Sequence, residues 1–390
     1  VKYLKKFSLF ESASSLSAPQ IAFLNKGTQS GGTWSLNSQT GLVDVDGDFK
    51  IYKTSRTVLP VSFGVVTGNF IFARFAGRFI SLKGSPLEVG GDFISSVVGL
   101  TSIEGAPQRV GGNFSFGANE ITSLAGAPQQ VGGNFDCSEN KIISLEGAPQ
   151  EVVGNFDCSG NKLTSLTGAP RRVSGNFICF TNQLTSLEGA PQEVGGDFDC
   201  GNNELTSLEG IPAKIGGGFD CSSNRLTSLV GAPQGIRPYF HCDRNYLTSL
   251  IGSPQGVSDN FNCESNELTS LIGAPIEVGR NFLCQYNELT SLEGAPMRIG
   301  GTFYYNNTSS QFYIQSEIKW NTEGWLRGLN EDPNLFVPFI ARMAEKIDPR
   351  DLSPEDLNII RKKLPETFKI LAKRFGEGVS TLADLGDLGF

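Results

Sequence analysis

Histidine is almost missing from this chain: His241 is the only one in 390 residues, beside two methionines and three tryptophans. A lone histidine leaves little room for His-based nucleophilic or metal chemistry. No P-loop, G-x-S-x-G or H-E-x-x-H motif is present either. Basic residues are outnumbered, 32 against 40 acidic, for a net charge of -8. Binding along a phosphate backbone needs clustered positive charge, so nucleic acid is not an expected partner. No apolar run approaches the roughly 18 residues of a membrane-crossing helix. The basic start Val1-Lys2-Tyr3-Leu4-Lys5-Lys6-Phe7 lacks the apolar stretch of about 7–15 residues that marks a secretory signal, so classical secretion is not expected. No paired carboxylates form a distinct pocket pattern, which ranks a carbohydrate-active enzyme well behind the other readings.

Glycine, by contrast, is abundant, with 47 residues. Much of it falls in an internal repeat of 21 residues, which decides the fold class. Units start at Phe79, Leu100, Ile121, Ile142, Leu163, Leu184, Leu205, Leu226, Leu247, Leu268 and Leu289. Upstream, Val45 to Phe49 and Val66 to Phe70 look like decayed copies of the same Val-to-Phe corner. The expected organisation is a leader and cap over 1–41, degenerate repeats over 42–78 and eleven repeats over 79–309. A C-terminal cap and helical region over 310–390 completes it.

Each column of the repeat has a physical task. Gly126, then Pro128 two residues on, recur in every unit as an extended, irregular corner. Ile121, Leu124 and Val131 supply inward walls. Phe135 and Cys137 flank Asp136, the pattern of a short strand with one buried face. Asn119, Asn140, Asn161 and their successors to Asn287 form a column whose amides bond backbone groups of neighbouring turns at a bend.

The run Phe135-x-Cys137-x-x-Asn140-x-Ile142-x-x-Leu145 resembles the leucine-rich-repeat core, L-x-L-x-x-N-x-L-x-x-L. The repeat length and the Pro-bearing return leg resemble the short bacterial type found in secreted effectors. Here the return leg reads Leu-x-Gly-Ala-Pro in place of Leu-Pro-x-Leu-Pro, and Val131 lies four residues before Phe135 where the family has an aliphatic three before. The resemblance implies a mainly β and irregular solenoid; a three-sided β-helix with the same turn length is the alternative. Some effectors with such repeats carry a ubiquitin-ligase domain with a catalytic cysteine after them, but no cysteine follows Cys284, so that activity is not expected. A second resemblance lies in the leader LKKFSLFES, the phrase TWSLNSQTGLVDVDGDF and units such as LTSLEGAPQEVGGDFDC. This wording is similar to repeat proteins encoded by tailed bacteriophages, which implies a virion or host-cytoplasm setting.

The eight cysteines all occupy one column, from Cys137 to Cys284, with no C-x-x-C pair. They read as small apolar packing residues, with no zinc or other cofactor expected. Outward positions are rich in Asn and Asp, which reads as solvation and as protection against edge pairing. Three stretches break that rule and are the candidate partner-binding residues. They are Ile178 with Phe180; Arg237, Tyr239, His241, Asp243, Arg244 and Tyr246; and Leu283 with Tyr286. Tyr and Arg are enriched at binding hot spots.

Past Asn307 the pattern stops. Trp320 and Trp325 are expected to close the end of the core. A helix is expected from Asp332-Pro333 to about Ile347, starting or kinking at Pro338. Ser353-Pro354 reads as the N-cap of another, running to Phe375 with an interruption at Pro365. The expected role is a non-enzymatic phage structural or virion-associated protein that uses the repeat solenoid as a scaffold or partner-binding surface, its partner being other virion proteins or a host surface. The alternative is an intracellular interaction protein or host-modulating effector outside any particle.

Overall fold

The computed structural model describes residues 16–52, 56–73, 79–307, 314–319, 325–326, 328–329, 332–343 and 354–378. The leader, Trp320, Ser353 and the tail from 379 onward lie outside the described residues. The chain divides into two compact units, Val1–Glu204 with Glu209–Ile215 and Leu205–Leu208 with Gly216–Phe390. Both are built from the same turn.

Each regular turn holds two short strands, such as Gln130–Val131 and Phe135–Asp136. In the first unit Phe135 pairs in parallel with Phe114 on one side and Phe156 on the other. In the second, Phe261 sits likewise between Phe240 and Phe282. The pairing partners are 21 residues apart, so the register is that of the sequence repeat. The third leg has no strand. There the Ala127 N–H donates to the Leu124 carbonyl at 3.0 Å, and Gly126 takes φ 92°. That is a type II turn with glycine where φ must be positive. The fold is therefore an irregular, leucine-rich-repeat-like solenoid and not a three-sided β-helix.

The inward columns stack as the spacing predicts. The Phe135, Phe156, Phe177 and Phe198 rings follow one another at 5.1, 5.5 and 5.5 Å with planes within 12°. Each is fully buried, contributing about 2 kcal/mol by transfer from water. The eight cysteines are free and buried beside them. Asn161 shows what its column does. Its Nδ2 donates to the carbonyls of Cys137, Cys158 and Ser159 at 3.0–3.1 Å, and its Oδ1 accepts the Ile142 N–H at 3.0 Å. One side chain thus satisfies four backbone groups over two turns.

Three further devices hold each turn to itself and to its neighbours. The Asn or Asp before each Phe is no mere solvating residue: Asn134 Oδ1 accepts the Asn155 N–H one turn on at 2.7 Å, and Asn155 repeats this to Asn176 at 2.8 Å. The Ser column folds back locally, as where the Glu146 N–H donates to Ser144 Oγ at 3.2 Å. The residue before most core Asn residues is left-handed although it is not glycine, with Glu139 at φ 51°, Ser223 at 53° and Tyr286 at 54°; before Asn161 the same position is Gly160, at 64°.

Both ends are covered. A helix, Ala18–Gly27, lies within the cap expected over 1–41 and packs Phe23 on Phe49 at 5.5 Å. Thr33–Leu36 then pairs antiparallel with Val43–Asp46. In the second unit Thr302–Asn307 and Ile314–Lys319 close the Phe ladder as an antiparallel pair. Tyr305 meets Phe336 at 5.4 Å, and Trp325 meets Phe339 at 5.5 Å. The helix Pro333–Met343 begins at Pro333 and runs through Pro338; Pro354–Lys363 and Pro365–Gly378 follow.

Candidate partner-binding face

The repeat from Leu226 to Tyr246 departs most from the rest, and its departures are linked. In regular turns the second glycine sits over the carboxamide of the turn below. A Cβ at Gly196 would lie 2.0 Å from Asn176 Oδ1, and one at Gly133 would lie 2.5 Å from Asn113 Oδ1. In this repeat Pro238 replaces that glycine, and the position one turn below its neighbour Tyr239 is Gly218, which has no carboxamide. The Tyr239 ring fills the space instead, 2.3 Å from where a Gly218 Cβ would be. The next turn carries Asp259 at the glycine position, above Tyr239. Arg280, above Asn260, is an exception; its guanidinium pairs with Asp259 of the turn below at 3.7 Å. The Val-type strand is also absent from this repeat, where Gln234 and Gly235 form a turn.

On the face so formed, Tyr239 lies beside His241 with ring centroids 4.7 Å apart. His241 Nδ1 is 3.4 Å from Asp220 Oδ2. Asp220 is further held by Ser222, whose Oγ and N–H donate at 2.6 and 2.8 Å. Burial pushes the Asp220 carboxyl up, but the bonds from His241 and Ser222 outweigh it and hold the group below its usual range. Asp157, in the same column with Ile178 above it, is pushed up by burial.

Asp243 differs from the outward position expected of it. It is 4% exposed, accepts from Asn262 Nδ2 at 3.0 Å and pairs with Arg244 at 3.2 Å. Burial pushes its carboxyl up, helped by the Asp220 charge and offset in part by Arg244 and His241. Arg244 is exposed and also reaches Glu264 at 3.4 Å. Asp243 therefore anchors Arg244 from beneath. Arg237 and Tyr246 are exposed, while Tyr239 and His241 are half-buried.

The other candidates are not all in this cluster. Ile178 is half-buried and Phe180 exposed, both in the first unit. Leu283 is half-buried and Tyr286 exposed, two turns beyond His241 and Arg244. Among the described residues no group of three His, Cys, Asp or Glu is placed to hold a metal ion. Burial pushes the thiols of Cys137, Cys158 and Cys179 well up, which disfavours the reactive thiolate. No helix among the described residues is long and apolar enough to cross a membrane.

No protein-family model matches the chain, and no curated protein matches it. Among solved structures, YopM from Yersinia enterocolitica WA-314 is similar at a TM-score of 0.46 and 20% identity. The match covers 62% of this chain and 56% of that one, so this chain spans about half of YopM.

Proposed function

We propose that the chain is a non-enzymatic interaction protein whose repeat scaffold presents the Tyr239–His241–Arg244 face to a protein partner. The observation that carries this is the coupled replacement around Gly218, Pro238 and Tyr239. It trades a backbone-bonding Asn for an aromatic ring packed beside His241, in the repeat that also carries the exposed Arg244. Each turn contacts only its neighbours, so folding makes the same demands on every middle repeat, and those demands do not ask for this cluster. The test is affinity capture with the wild-type chain and a Tyr239→Asn/Arg244→Ser/Asp259→Gly variant side by side, the last change making room for the new carboxamide. A partner held by wild type and lost from a variant of matching melting temperature supports the reading. Equal retention by both overturns it.

A second reading, a component of a bacteriophage particle, is supported by the wording of the leader and of the Thr33–Phe49 phrase. Mass spectrometry of purified particles separates it from an intracellular interaction protein, which needs only the fold and this face.

A further inference from the structure

One column of the turn edge changes character in the second unit. At the position after the second aliphatic residue, most repeats carry a charged or polar residue, such as Glu104, Glu146, Glu188 and Glu293. Three successive repeats instead carry Val230, Ile251 and Ile272, exposed by 69, 57 and 41%. Backbone contacts stack these turns directly: the Leu250 N–H donates to the Ile272 carbonyl at 3.0 Å. Ile276, 51% exposed, stands where most other repeats have Gln. Ile143 and Val153, both 65% exposed, have no apolar neighbour in their columns and form no strip.

The surroundings indicate what covers the strip. In the same turns Thr248 and Thr269, three residues before Ile251 and Ile272, are exposed, and two residues before them a column runs Arg225, Tyr246, Glu267, Glu288. The strip's own column has Glu209 before Val230 and Glu293 past Ile272. Glu267, Glu288 and Glu293 are exposed and, among the described residues, form no ion pair. Within the second unit negative charge therefore gathers in the turns at and after Ile272. Turns about 4.8 Å apart place Val230 and Ile272 about 10 Å from each other. Side chains at i, i+4 and i+7 of an α-helix span about the same length.

We infer that Val230, Ile251 and Ile272 form a docking strip for an amphipathic helix of a partner protein, with the helix's basic end lying at Glu267, Glu288 and Glu293. The site is separate from the His241 face and does not depend on it.

The test uses the full chain and a labelled, helix-forming synthetic peptide with leucines at i, i+4 and i+7 and lysines at one end. Fluorescence anisotropy at low salt compares wild type with Val230→Glu/Ile251→Glu/Ile272→Glu. Glutamate is the residue of sibling repeats at these exposed positions, so the variant keeps its fold, which its melting temperature checks. The expected result is at least a roughly tenfold weaker affinity for the variant, and for wild type with a peptide carrying Glu in place of Lys. Equal binding by variant and wild type overturns the inference. So does a wild-type dimer that the variant loses without any peptide binding, because the strip then serves a second copy.

Discussion

Gly218 and Tyr239 occupy one space: a Cβ on Gly218 would lie 2.3 Å from Cε1 of the Tyr239 ring. Gly218→Asn alone is therefore expected to destabilise by roughly 1–3 kcal/mol through overpacking. Combined with Pro238→Gly, Tyr239→Asn and Asp259→Gly, the same change restores the regular turn and recovers most of the loss. Urea midpoints of the single and quadruple variants check this. Additive losses would mean that the four positions are independent.

Asn203 donates to the carbonyls of Cys179, Cys200 and Gly201, each at 3.1 Å, and accepts the Leu184 N–H. Asn203→Ala leaves these buried groups without their partner and is expected to cost about 3 kcal/mol. Cys200→Ala removes only a small buried group and is expected to cost about 1 kcal/mol. Chemical denaturation ranks the two, and native cysteines should react slowly with thiol reagents.

Backbone handedness gives a change of opposite sign. Ser223→Gly relieves a non-glycine residue at φ 53° and is expected to raise stability by up to about 1 kcal/mol. Gly160→Ala, at φ 64°, should lower it by a similar amount. Thermal melting of both variants is the check.

Asp220 supplies a pH signature. Its folded pKa lies below the unfolded value of about 3.9. Its stabilisation is thus present above that unfolded value and is lost as pH falls through the folded one. The melting-temperature gap between wild type and Asp220→Asn should be open at neutral pH and close on acidification. A gap that widens in acid would reverse the assignment.

The inward half of this fold was legible because burial imposes periodicity. Phe135, Cys137, Asn140 and Ile142 recur at one spacing, and all are buried. The outward half was less so. Asn134 looks like a solvated residue because its partner is a backbone N–H one turn away, which composition does not reveal. The left-handed column carries Glu139, Ser223 and Arg244 and only one glycine, Gly160, which is too few to announce it. Asp243 breaks a run of serines and glycines and reads as a surface charge, yet Asn262 and Arg244 enclose it. The Val230–Ile272 strip needed exposure values, since aliphatic residues in a repeat otherwise signal core.

The glycine-over-carboxamide contact also gives tolerance to substitution a direction. A carboxamide presses only on the following turn, so its loss frees the next repeat and leaves the preceding one as constrained as before. Gly218 comes first in the chain, then Pro238 and Tyr239, then Asp259. Room for larger side chains at this face therefore opens toward the C-terminus, while the turns before it are held to glycine.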